Sequence, residues 1–145
     1  MINVSFQIRE FHFPEDYNSV LHLWKGIKKG VHVGRSDTPA EIEKKIARDP
    51  DLFLVAELDG DIIGSVIGGF DGRRGLIYHL AVTIPFRGMG IGSRLMAEVE
   101  SRLRVKGCLK CYLLVTLDNS EVGDYYQQRG WQHMHDIHLY GKELQ

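Results

Sequence analysis

Val4, Phe6 and Ile8 alternate with Ser5 and Gln7, a period of two that predicts an opening strand over residues 4–8. The period then lengthens. After Pro14-Glu15-Asp16, the residues Val20, Leu21, Trp24 and Ile27 share one helical face, and the helix ends near Gly30. Residues 31–37 have the character of a turn. Thr38-Pro39-Ala40-Glu41 is a capping box with proline at the first helical position, so a second helix starts there, turns Ile42 and Ile46 inward and stops before Pro50. Two apolar runs, residues 52–58 and 61–70, flank Asp59-Gly60 and predict a β-hairpin. Gly64, Gly68 and Gly69 in its second arm predict a bulge or the close approach of another backbone.

A turn over residues 71–75 leads into the apolar run 76–84, so the chain first builds an antiparallel meander. Beyond Pro85 comes Arg87-Gly88-Met89-Gly90-Ile91-Gly92-Ser93, and then Ile91, Leu95, Met96, Val99 and Leu103 at helical spacing. This is a strand, a glycine turn and a helix. Gly107 supplies a left-handed stop, and a strand over residues 112–115 completes a parallel crossover. Asp118-Asn119-Ser120 is placed to cap a short helix through Tyr126 that ends at Gly130. Residues 131–133 and 137–140 predict a closing hairpin, for a mixed α/β, mostly antiparallel sheet of six or seven strands flanked by about four helices.

Composition narrows the class of function. With 145 residues the chain is expected to form a single domain over residues 1–145. A net charge of −1 gives no basic footprint for nucleic acid, so no such partner is expected. No apolar run reaches the ~20 residues of a membrane span, and the amino terminus lacks the pattern of a signal peptide. A cytoplasmic protein without a membrane partner is expected, and a homodimer is the default oligomer. Cys108 and Cys111 lie across a helix end and not at a helix start, the wrong place for a redox pair, and read as structural. His133 and His135 share a face near His138, but only Asp136 is close and would point away, so no metal is expected.

The glycine turn carries the chemistry. Without side chains at Gly88, Gly90 and Gly92, successive N–H groups can converge on an anion at the positive end of the helix dipole, and Arg87 adds a planar cation. A diphosphate is the ligand this arrangement suits. No lysine stands between Gly92 and Ser93, which disfavours a Walker loop, and serine at position 93 breaks the dinucleotide fingerprint. A plain glycine-rich turn before an amphipathic helix is the alternative.

These residues resemble a known family. Arg87, Gly90 and Gly92 match the Arg/Gln-x-x-Gly-x-Gly/Ala signature of the GCN5-related N-acetyltransferases, and His79-Leu80-Ala81-Val82 with Pro85 resembles that family's central strand and its exit. Asn119 and Tyr125-Tyr126-Gln127-Gln128-Arg129-Gly130-Trp131 resemble its late Asn and Tyr-x-x-x-Gly-aromatic motif. The likeness runs over nearly the whole chain and is greatest to small bacterial acetyltransferases of undefined substrate. It implies a sheet whose central strands splay apart and acetyl-coenzyme A as the acyl donor, with no metal. By the same resemblance the diphosphate lies on Arg87, Gly88, Met89, Gly90, Ile91, Gly92 and Ser93, and the pantetheine arm runs along Leu80, Ala81 and Val82. The Val82 N–H is then placed to stabilise the oxyanion. Asn119 is either a helix cap or a contact of that arm.

For the chemistry itself, the family pattern selects Tyr126 as general acid, although Tyr125 or Tyr126 can equally be packing a helix on the sheet. Glu57 and His79, on central strands, are the candidates for general base. The acceptor matters here. Neutralising a lysine-type amine at pH 7 costs roughly 4.6 kcal/mol and an α-amine only about 1 kcal/mol. Residues 27–37 and 71–75 are expected to shape the acceptor pocket, which takes a small-molecule or peptide amine. Acetylation of protein or peptide amino termini and a non-catalytic acyl-coenzyme A sensor are the rival readings.

Overall fold

The computed structural model describes residues 5–145, so Val4 of the expected first strand lies outside it. Five strands form one sheet in chain order: β1 (Gln7–Glu10), β2 (Phe53–Leu58), β3 (Asp61–Phe70), β4 (Gly75–Val82) and β5 (Cys111–Leu113). The first four are antiparallel neighbours and β4 pairs with β5 in parallel. Helices α1 (Tyr17–Lys25) and α2 (Pro39–Arg48) cover one face, and α3 (Ile91–Val105) covers the other; α4 (Gly123–Gln127) follows β5.

The periodicities map onto two cores. Leu52, Leu54, Ala56, Val66 and Ile77 meet Ile91, Leu95, Met96, Val99 and Leu103 of α3, while Phe53, Val55 and Ile67 meet Val20, Leu23 and Trp24 of α1 and Ile42 of α2. The glycines of β3 explain how closely α3 lies. A Cβ on Gly68 would stand 2.7 Å from Val99 Cγ2, and one on Gly64 would stand 3.1 Å from Leu95 Cδ1. The close approach expected there is real, and it fixes the start of α3 over β3 and β4. Asp59 and Gly60 both have positive φ, the conformation a two-residue hairpin turn requires.

Several boundaries differ from the expectation. Helix α1 begins at Tyr17, after a turn, and ends at Lys25; it buries Leu23, where Leu21 was expected. The closing hairpin is absent among the described residues, so the sheet has five strands and not six or seven. Ile137, Leu139 and Tyr140 are 54%, 75% and 89% exposed, and alternation that buries nothing gives a strand no reason to form. The splay itself is present. Pairing of β4 with β5 stops at Ile77 and Leu113, leaving Tyr78 to Val82 without a partner on that edge.

Candidate functional site

The open edge of β4 runs into the glycine turn. Thr83 donates its N–H to Ile63 O, so by alternation Val82 turns its own N–H and C=O away from β3 and toward the wedge. Arg87 Nε donates to Val82 O at 3.1 Å, tying the turn to the strand end. By the same alternation Leu80 also faces the opening, whereas the Ala81 backbone faces Ser65 of β3. Leu80 and Val82 lay their side chains on the α3 core.

In the turn, Gly88 and Gly90 have φ of 79° and 81°, values that side-chain-bearing residues rarely adopt, and a Cβ at either would meet nothing within 4 Å. These glycines are needed for chain direction, and they leave the space above them clear. The first amide to join the helix ladder is Arg94, which donates to Gly90 O. None of the amides from residue 88 to residue 93 has an acceptor among the described residues. Ile91 anchors the turn from below at 1% exposure, while Met89 projects outward at 47%. Six consecutive amides at the head of a 15-residue helix are thus left without an acceptor among the described residues.

Helix α4 closes the wedge from the β5 side, and its two tyrosines differ. Tyr125 exchanges a 2.8 Å hydrogen bond with Ser93 Oγ and lies under the Arg129 guanidinium, 3.5 Å from the ring centroid; Arg129 Nε also donates to Ser93 Oγ at 3.2 Å. Tyr126 packs edge-on to Tyr125 and Trp131 against the α3 core, and its hydroxyl has no hydrogen-bond partner among the described residues. Burial, with Tyr125 adding to it, pushes the Tyr126 phenol up to about 12. Asn119 is not a helix cap: Thr116 precedes the 3-10 turn Leu117–Val122, Val122 precedes α4, and Asn119 itself breaks the helical conformation. Its side chain lies over Gly30, where a Cβ would stand 2.5 Å from Asn119 Nδ2.

On the other face, β4 is bulged: Ser65 pairs Ala81 while Ile67 pairs Tyr78. His79 occupies the bulge with φ of 52°, a strained value for a residue with a side chain. The bulge turns both Tyr78 and His79 toward α1. The His79 ring meets Trp24 edge-on at 4.7 Å, and its Nε2 lies 2.9 Å from Asp37 Oδ1. Trp24 Nε1 donates to Ser65 Oγ at 2.9 Å. Glu57 is not in this group. In the regular β1–β2 pairing Arg9 stands opposite Val55, so Glu57, two residues on, shares its face; Arg9 Nε donates to Glu57 Oε2 at 2.6 Å while its other nitrogens fork onto Asp16 at 2.7 and 3.0 Å. Burial acts to raise the Asp16 carboxyl, but hydrogen bonds from Arg9 and the His12 amide outweigh it and hold it below its ordinary value.

Residues 27–37 border the wedge, held to its far side by exposed ion pairs of Lys29 with Glu121 and Arg35 with Glu143, and by His32 Nε2, which lies 3.4 Å from Asp118 Oδ2. Residues 71–75 do not. They lie at the closed end of the splay, where Gly75 pairs Cys111, roughly 25 Å of strand from the glycine turn. Cys108 and Cys111 pack on Gly75 there, and burial, with Cys108 beside it, pushes the Cys111 thiol up to about 11, the reverse of a nucleophile. The His133 and His135 rings lie 4.1 Å apart, tilted at 48°, but among the described residues no group of three or more His, Cys, Asp or Glu is arranged to hold a metal. No helix among those residues is long and apolar enough to cross a membrane.

The site is thus a splayed parallel pair, a run of unpaired amides after the bulged strand and a tyrosine helix beside it. In comparison with known proteins, the family model for the acetyltransferase (GNAT) family matches residues 17–131, and the chain belongs to that family. It is 41% identical over 138 residues, 95% of each chain, to an acetyltransferase of Pectobacterium atrosepticum. It is similar to the crystal structure of Ard1 from Thermoplasma volcanium, with 30% identity, a TM-score of 0.75 and coverage of 88% of this chain and 82% of that one. It shares its fold with the PaiA N-acetyltransferase of Thermoplasma acidophilum, solved in complex with coenzyme A (22% identity, TM-score 0.73, 86% and 88% covered). The protein is an acyl-coenzyme A-dependent acetyltransferase.

Two participants in the site escape a reading of the sequence. Asp37 stands in a segment with no strand or helix signal, and its one local sign is an acid directly before the cap Thr38. Trp24 reads as core, which it is, yet its ring also walls His79.

Proposed function

We propose that this chain acts as a single catalytic domain, in the cytoplasm, and moves the acetyl group of acetyl-coenzyme A directly onto a primary amine. The observation that carries the reading is the row of unsatisfied amides from residue 88 to residue 93. Buried or ligand-facing N–H groups are seldom left unpaired, and a diphosphate supplies acceptors in the number and sign required. Arg87, already fixed on Val82 O, holds its remaining guanidinium nitrogens beside the same anion. From there the free edge of β4 offers Leu80 and Val82 to the amide-rich pantetheine arm, as an added strand would find them.

In this reading the Val82 N–H meets the thioester carbonyl oxygen and stabilises the charge that grows on it. The neutral amine attacks the carbonyl carbon, an N–C bond forms and the C–S bond breaks. Tyr126 gives its phenolic proton to the departing sulfur, and the amine's surplus proton leaves through a base and returns the phenol by way of solvent. Tyr126 fits the role because its hydroxyl is uncommitted, whereas that of Tyr125 is bound to Ser93. For the base, His79 is favoured over Glu57, whose carboxylate is already engaged by Arg9 at 2.6 Å. Asn119, at the mouth of the wedge beside Gly30, is a contact of the arm or acceptor.

The acceptor is a small-molecule or peptide amine. A coenzyme A-release assay across small amines, polyamines, amino acids and peptides with free amino termini tests the reading. Release with at least one class is expected. Binding of acetyl-coenzyme A without release in any class would overturn transfer and leave a sensor.

A further inference from the structure

The buried carboxylate of Asp37 has no part in the scheme above, yet its surroundings are more constrained than those of any other acid in the wedge. Its side chain is 7% exposed. Oδ2 accepts the Gly34 N–H at 2.9 Å, the main-chain oxygen accepts the Tyr17 hydroxyl at 2.6 Å, and Oδ1 faces His79 Nε2 at 2.9 Å. A carboxylate can only accept, so the ring nitrogen opposite it must donate. With Nε2–H committed to Asp37, the lone pair of a neutral His79 belongs to Nδ1. The ring's orientation is then fixed from three sides: Trp24 edge-on, the strained bulge beneath, and Tyr78, whose ring stands at 76° to it.

Taking His79 as the base of the proposed transfer, we infer that Asp37 is its positioning residue: it sets the tautomer that leaves Nδ1 free to take the acceptor amine's proton, and it steadies the imidazolium that results. The juxtaposition has a catalytic logic. His79 is three residues before Val82, so about 10 Å of strand separates the ring from the amide proposed to hold the thioester oxygen. That is a span an amine and its ordered water can bridge. A carboxylate behind an imidazole is worth far more to turnover than to stability, because the charge it neutralises exists only after the proton has moved. The charged and titratable groups around the pair are Asp37 itself, Tyr78, Tyr17 through the Asp37 carbonyl, and Asp49, which acts on Tyr78.

The test uses the full chain and an acceptor found by coenzyme A release. Asp37→Asn keeps shape and an acceptor for Gly34, but its amide can donate to Nε2 and favour the other tautomer. A fall of kcat of at least about 100-fold is expected, with KM for acetyl-coenzyme A within about twofold and the acid limb of the kcat–pH profile displaced. Nitrogen-15 NMR of labelled histidine reads the tautomer directly: Nε2–H in the parent, lost or mixed in Asp37→Asn. His79→Gly suits the positive φ, and added imidazole is expected to restore at least about tenfold of the lost rate. Unchanged kcat in both variants, or an Nδ1–H tautomer in the parent, overturns the inference and leaves the acetyltransferase reading standing. Absence of release with every amine overturns that reading first, and this one with it.

Discussion

The two banks of the β4 wedge are built on different principles. The bank proposed to face the diphosphate is made of backbone, a run of consecutive residues whose amides are exposed by two left-handed glycines and the head of α3. The bank proposed to take the acceptor is made of side chains gathered from α1, the segment before α2, β3 and β4, with Asp37 and His79 separated by 42 residues. A main-chain site tolerates most changes around it, provided that the dihedrals survive. A side-chain site is tunable residue by residue.

Substitutions separate the two banks. The largest effect is expected from Tyr126→Phe, which deletes only the proton: kcat should fall by roughly 100-fold or more while the Kd for acetyl-coenzyme A, read by calorimetry, stays within about twofold. Equal turnover would remove the acid role. Gly90→Val should do the reverse. Forcing a β-branched residue to φ of 81° and placing a methyl among those amides should weaken coenzyme A binding by about 100-fold, the cost of one or two charge-assisted hydrogen bonds. Retained affinity would mean that the anion lies elsewhere. Glu57→Gln should lower kcat by less than about threefold, since the carboxylate it alters is held by Arg9, and should register instead as a lower melting temperature. A large loss of turnover would move the base to Glu57.

Alkaline stability reads burial and not the chemistry of either bank. Tyr78 and Tyr126 are both pushed up to about 12, mainly by burial, against about 10 when unfolded. Between those values the unfolded chain loses its phenolic protons while the fold keeps them, so stability is complete below about pH 10 and falls as the pH rises toward 12. Melting curves across that window should steepen in the parent and flatten in Tyr78→Phe and Tyr126→Phe.

Locality decides what the sequence alone discloses. Arg87 to Ser93 can be read because glycine spacing, helix start and cation are all contiguous, and the structure needs no distant partner to make the turn what it is. The close approach at Gly64 and Gly68 is legible for the same reason, as a lack of side chains that something must fill. Asp37 is invisible because its meaning lies wholly in His79, and His79 is ambiguous because only the bulge turns it toward α1. Residues 131–140 fail in the opposite way. Their alternation is clear, but a strand also needs an edge of matching length, and β5 offers three residues.

One feature of the acceptor bank bears on how a bulky amine gets in. Lys29, His32 and Arg35 reach across to Glu121, Asp118 and Glu143 through solvent, every partner at least 44% exposed. Surface contacts of that sort hold weakly and weaken further as salt is added. Ionic strength should therefore govern access: added sodium chloride is expected to change the KM of a large acceptor while hardly touching that of a small one. At the proposed acceptor site, a doorway latched in open water stands ajar at room temperature, and the salt series tests whether the breadth of amines admitted is set at the latch.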